Sequence, residues 1–225
     1  MRRTLLVPAL LGALLATPAR ADPHAYGVRL PPEGFWVEVP YTLGTHREQV
    51  TAVDGTLHLD PQTLDLEGGR LVVPLDAFRS DDPKRGCHLR EAMGLDYARS
   101  RFPREHVCDQ MNRLPASGPD AIAFPDVVLD LKSGGSTTPS TPGGAAKVAV
   151  EGTIRVHGVS RPIRFELDVE PASPAGTIRV RGRIPLRLAD FGIEVKPAEV
   201  LFVKIAVKDV VTVVVDVLLE PLPTS

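Results

Sequence analysis

Apolar and polar residues alternate with period two through the second half of the chain. In Glu151–Glu170 (EGTIRVHGVSRPIRFELDVE), Ile154 and Val156 fall on one face, and Thr153, Arg155 and His157 on the other. Past a glycine-containing turn at His157–Ser160, the residues Ile163, Phe165, Leu167 and Val169 are apolar, while Arg164, Glu166 and Asp168 are not. The pattern predicts a β-hairpin with one buried and one wet face. Thr177–Leu188 repeats it, setting Ile178, Val180, Ile184, Leu186 and Leu188 against Arg179, Arg181, Arg183 and Arg187. Val200–Leu219 is too long for one ordinary strand. A bend, a bulge or a junction between two strands is expected at Lys208–Asp209.

Upstream, Gly34–Tyr41, Val50–Asp60, Gly69–Phe78 and Ala121–Lys132 also read as strands. About eight or nine strands separated by turn signals predict an antiparallel barrel or sandwich. Two segments break the pattern. Ser133–Lys147 (SGGSTTPSTPGGAAK) is rich in Gly, Ser, Thr and Pro and predicts a flexible surface loop. In the other, Asp82-Pro83 has the form of an N-cap followed by proline at the first helical position. Leu89, Ala92 and Met93 then follow at helical spacing, and Gly94 stops the turn. One short helix is expected beside an otherwise all-β fold.

Composition changes this picture mainly through the N-terminus. Arg2 and Arg3 precede the apolar run Leu5–Ala16, and Ala19 and Ala21 place small residues where a signal peptidase cuts. Residues 1–21 are therefore expected to be a cleaved secretory signal, too short to span a bilayer. Residues 22–225 would then form one exported domain, periplasmic or secreted. Without Arg2, Arg3 and Arg20, the 26 basic residues fall to 23 against 28 acidic, a formal charge of about −5 rather than −2. Such a domain is a poor partner for nucleic acid or anionic membrane surfaces.

The candidate chemistry is concentrated in Lys84–Cys108, which holds both cysteines and two of the six histidines. Cys87, His88, His106 and Cys108 are metal-ligand types, but their spacing is not that of structural zinc sites. A thiol catalyst would pair one cysteine with His88 or His106 as base. In an oxidising compartment, a Cys87–Cys108 disulfide is the simplest reading, and it would stabilise by about 3 kcal/mol on chain-entropy grounds. Asp190–Ile193 (DFGI) lacks every companion of the kinase magnesium motif and reads as a strand end with a packed Phe191. The arginine row on Arg179–Arg187 reads as a solvated outer face. His46, His58 and His157 are read as surface strand or turn residues.

Three segments together resemble the YceI-like family: Arg85, His88 and Leu89 in KRGCHLREAM, the hairpin Gly152–Val159, and Asp190–Ile193. The resemblance runs from about Gly34 to Leu219. It implies an all-β, lipocalin-like antiparallel β-barrel of about eight strands with one short helix near the mouth, exported to the periplasm. It further implies a lumen that holds a long isoprenoid chain, a quinone-type molecule or another amphiphile, with no catalytic residues to carry over; the ligand spacing above argues against a bound metal, and no further cofactor is expected. Candidate lumen residues are Ile154, Val156, Ile163, Phe165, Leu167, Ile178, Val180, Ile184, Leu186 and Phe191, with Leu89 and Met93 on the helix near the mouth. The chain departs from the family pattern at Gly86, where an acidic residue is common, at Cys87, around Cys108-Asp109, and in the Ser133–Lys147 loop. A carrier for an apolar chain is the first expectation. An envelope interaction or stress protein with a side-chain-filled barrel is the second, and a Cys/His enzyme the third. Self-association into a homodimer stays open.

Overall fold

A sheet with one apolar face must pack on another layer or close on itself. Here it closes. The computed structural model describes residues 24–96, 122–136, 144–172, 176–195, 197–200 and 203–223. In chain order the elements are β1 (His24–Arg29), β2 (Phe35–Tyr41), β3 (Gly44–Val50), β4 (Asp54–Leu59), β5 (Leu66–Pro74), β6 (Phe78–Ser80) and α1 (Pro83–Ala92). They continue with β7 (Asp126–Ser136), β8 (Ala146–Val156), β9 (Val159–Ala172), β10 (Thr177–Arg187), β11 (Ala198–Val200), β12 (Val203–Ile205) and β13 (Val210–Pro221). Strands β1, β4, β5, β7, β8, β9, β10 and β13 pair in that order, and β13 returns to β1, giving a closed eight-stranded antiparallel barrel. The ribbon β2–β3–β6 extends from β13 at one end, and β11–β12 form a separate small hairpin.

Closure depends on β13 being long enough to serve two partners on one edge. Its N-terminal half, Thr212–Val215, pairs with β2, and its C-terminal end, Leu218–Pro221, pairs with β1. On its other edge it follows β10 from Val210 to Leu219. The expected break at Lys208–Asp209 is where β13 begins, and Val203–Ile205 is the separate strand before it. The β8–β9 hairpin turns at His157 and Gly158, whose φ values of 51° and 73° are those of a tight hairpin turn with two left-handed residues.

The inward residues form two apolar clusters. At the end away from the helix, Tyr26, Leu59, Leu64, Val148, Ile178 and Leu219 belong to one buried cluster. Leu64 sits in the β4–β5 turn with a left-handed φ of 62°, and the Asp60 carboxylate accepts from the amides of Gln62 and Thr63 at 2.7 and 3.2 Å. That turn folds Leu64 inward and closes this end. At the other end, Leu75, Met93, Ile122, Ile154, Val156 and Phe191 cluster beneath α1. Asp82 caps α1 as expected, accepting from the Lys84 amide at 2.8 Å. The helix is tied down beyond its C-terminus by the Ala123 and Phe124 amides, which donate to the Gly94 and Met93 carbonyls.

The sequence reading of Ser133–Lys147 needs correction. Residues 133–136 continue β7, and Ala146 already belongs to β8. The ladder slips between Leu131 and Ser133 and then resumes, pairing Gly134 with Val150 and Ser136 with Val148. Backbone pairing needs no apolar side chain, so a glycine-rich run beside a strong strand joins the sheet. Strands β1 and β3 are further additions to the strands expected from alternation. Residues 1–21 lie outside the described residues.

Candidate ligand-binding site

The pairing registers place the predicted lining residues on one face. Val148 stands opposite Leu167, Val150 opposite Phe165, and Gly152 opposite Ile163. Across β10 and β13, Ile178 meets Leu219, Val180 meets Val217, Ile184 meets Val213 and Leu186 meets Val211. Because the side-chain period is two, this whole set points inward. Ile154, Val156, Ile178, Val180, Ile184, Phe191 and Met93 are buried, and Ile163, Phe165, Leu167, Leu186 and Leu89 are half-buried. Tyr26, Leu57, Leu66, Val148 and Val217 are buried as well, and none of these stands out from sequence.

That half-buried group exposes a feature of the wall. The β9–β10 ladder runs only from Thr177–Ala172 to Arg181–Asp168. Beyond it, Ile163, Phe165 and Leu167 on β9 have no register partners on β10, although β10 continues to Arg187. Gly182 has no side chain at the point where the ladder lapses, and a Cβ built there would lie 2.4 Å from Leu167 Cδ2. Leu167 therefore leans into the space the glycine leaves. The far end of the gap is bridged instead by side chains. Arg161 Nε donates to the Asp190 carbonyl at 2.8 Å, and His157 Nδ1 lies 3.2 Å from the Phe191 carbonyl. The result is a slot, a stretch of wall without backbone pairing along which Ile163, Phe165 and Leu167 remain half-buried.

The outer wall is charged and internally paired. Arg179 makes two contacts with Asp216, at 2.6 and 2.7 Å, and Arg181 reaches Glu170 at 2.7 Å. Arg183 pairs with Glu38 and Arg187 with Asp209. Each arginine of the row thus has a carboxylate across the sheet, which fits a solvated face rather than an anion site. The hydrogen bond from Arg179 holds the Asp216 carboxyl below its ordinary 3.8, and that from Arg183 acts in the same direction on Glu38.

The remaining sequence candidates separate. Cys87 is buried, with 1% exposure, whereas His88 is partly exposed and lies 2.8 Å from Glu91 Oε2. His106 and Cys108 lie outside the described residues. His58 is exposed on β4, and His157 sits in its turn with its ring edge-on to Phe124. His46 departs from expectation: its side chain is only 12% exposed. The charged string THREQV gives no sign of burial, but His46 and Glu48 stand opposite Val39 and Val37 of β2, on the inward face.

The YceI-like domain family model matches residues 34–219. No curated protein matches the chain significantly. Among solved structures, a polyisoprenoid binding domain from Saccharophagus degradans, implicated in plant cell wall breakdown, superposes with a TM-score of 0.56 at 13% identity, covering 88% of this chain and 99% of that one. The YceI protein of Campylobacter jejuni gives 0.53 at 11% identity, covering 79% and 85%. BcnA of Burkholderia cenocepacia gives 0.52 at 12% identity, covering 82% and 95%. Identities this low establish a shared fold.

Acid titration checks the outer-wall pairing. A carboxyl depressed by its arginine contributes stability that is present above its unfolded value of 3.8 and lost as pH falls through the folded value. Denaturant midpoints measured from about pH 5 down to about pH 2 should therefore fall less steeply for Asp216→Asn than for the wild type. Parallel curves would show that the pair contributes nothing.

Proposed function

The chain belongs to the YceI-like domain family, and from that premise we propose that it is a non-enzymatic binding protein for an isoprenoid or other long apolar chain. The ligand would lie along the inner face of the barrel. The observation that carries this reading is the β9–β10 slot, where Ile163, Phe165 and Leu167 face inward yet remain half-buried. A barrel filled only by its own side chains has no need for an inner wall that reaches solvent. Each methylene taken from water contributes about 0.8 kcal/mol, so a prenyl chain of a few units gains enough to be retained without any polar contact. The Saccharophagus structure, a polyisoprenoid binding domain, supports the same ligand class.

We place the protein in the periplasm, on the strength of the N-terminal Arg2–Ala21 pattern. In that compartment Cys87 and Cys108 would pair, fastening α1 to the segment that follows it. Burial of Cys87 and the lack of any free cysteine among the described residues support this. Alkylation without reductant should leave both thiols unlabelled, and two labelled thiols would end the proposal.

Native mass spectrometry on protein purified from its own envelope tests the binding role. The expected result is a co-purifying prenyl or similar lipid of defined mass. Leu167→Arg, which places a cation at the slot, should reduce the bound fraction by about tenfold or more, because a buried or half-buried charge opposes an alkyl chain. Lipid-free protein that also fails to take up an added prenyl chain would instead favour the filled-barrel interaction protein.

A further inference from the structure

Among the described residues, three buried polar atoms at the helix end have no hydrogen-bond partner: His46 Nδ1, Glu48 Oε2 and Arg90 Nε. Glu48 and Arg90 are 4% and 3% exposed, and each is only half satisfied. Glu48 Oε1 lies 3.3 Å from His46 Nε2, while Arg90 Nη1 donates to the Gly86 carbonyl at 3.0 Å. The nearest acid to Arg90, Asp76, lies 3.7 Å from Nη2 and is itself half-exposed. Burial pushes the Arg90 guanidinium below the usual arginine range, with Arg79 acting in the same direction and Asp76 and Glu48 opposing it. Strand β6 links the two residues: its Ser80 pairs with Glu48, and α1, which carries Arg90, packs against it. Buried donors and acceptors are rarely left open, and a buried unpaired charge is the costliest of them.

Their position suggests what they are open for. Glu48 shares an inward strand face with Val50, which packs with Val73, Phe78 and Val127. Arg90 follows Leu89 on the helix, and Leu89 and Met93 pack against Ile154, Val156 and Phe191. The open polar atoms thus border the apolar interior where the helix covers it. We propose that His46, Glu48 and Arg90 form the subsite for the polar head of an amphiphile whose chain lies in the barrel. The inference rests on the binding role proposed above and adds the chemistry of the head.

One anionic and one cationic side chain leave the subsite near neutrality, so it selects an uncharged head with both a donor and an acceptor. An alcohol, an amide or a quinol qualifies: its O–H or N–H donates to Glu48 Oε2, and its oxygen accepts from Arg90 Nε–H. A phosphate head would bring its charge against Glu48.

Three probes of matched chain test this on delipidated full-length protein by competitive native mass spectrometry: geranylgeraniol, its dehydroxylated hydrocarbon and geranylgeranyl phosphate. The wild type should bind the alcohol about tenfold or more tightly than the hydrocarbon, as expected for a hydrogen bond to a charged group, and more tightly than the phosphate. Changing both partners together, Glu48→Met with Arg90→Met, removes the open charges without leaving one unpaired, so the fold should persist. In that variant the preference for the alcohol should vanish while hydrocarbon affinity stays within about twofold. Equal binding of alcohol and hydrocarbon by the wild type would overturn the head subsite and leave the lumen role intact. A preference for phosphate, or a double variant that keeps the alcohol preference, would overturn it in the same way. Failure to bind any probe would remove the lumen role itself, and the subsite with it.

Discussion

The barrel exists because β13 hydrogen-bonds on both edges along nearly its whole length. An alternating sheet with open edges would expose unpaired amides and carbonyls, and this one avoids that by returning Leu218–Pro221 to β1. The cost of closure appears at the helix end, where the N-terminal half of β13 takes β2 in place of β1. The inner space there is walled by β2, β3 and β6 and covered by α1. A single long strand thus borders both the tier around Tyr26 and Leu64 and the tier beneath the helix.

The lapse in the wall runs past both tiers, with Phe165 and Leu167 packed on the first and Ile163 on the second, while the open polar atoms lie at the helix end. The β9–β10 ladder ends at Arg181–Asp168, so the wall separates towards the helix end and is rejoined by Arg161 and His157 binding the carbonyls of Asp190 and Phe191. The His157 contact joins two of the three segments that carry the family likeness, the Gly152–Val159 hairpin and Asp190–Ile193, and Arg161 adds a second tie just beyond the first. Their shared role is architectural: they hold the rim while the strands between them stand apart. At the helix end, His46, Glu48 and Arg90 hold open polar atoms beside apolar clusters. On the binding role proposed above, the slot, the apolar inner face and the half-satisfied polar end would together receive the chain and head of one amphiphile.

Much of this is legible from residue alternation. Strands β8, β9 and β10 are readable because each strand alternates strictly, and the helix because Asp82, Pro83 and Gly94 mark its ends. The family likeness then supplies closure, which alternation alone does not distinguish from a sandwich. Other parts are hidden for physical reasons. GTHREQV looks solvent-facing because its inward residues are His46 and Glu48, and their place in the sheet is set by β2 on one side and β6 on the other, which the string's own alternation does not register. HAYGVR is short, and its place in the barrel is set by β4 and β13 rather than by its own propensity. The glycine run at 133–136 pairs through backbone groups that composition does not register. The lapse between β9 and β10 is equally invisible, since both strands keep their alternation across it.

Methyl-resolved NMR during titration with a prenyl alcohol tests the central claim most directly. If the chain enters the barrel, the methyls of Val148, Leu167, Val180 and Val217 shift together. Those of Val72 and Val214, which lie out of phase with the inward set, stay in place. Shifts confined to outward-facing methyls, with the inward set unmoved at saturation, would contradict it.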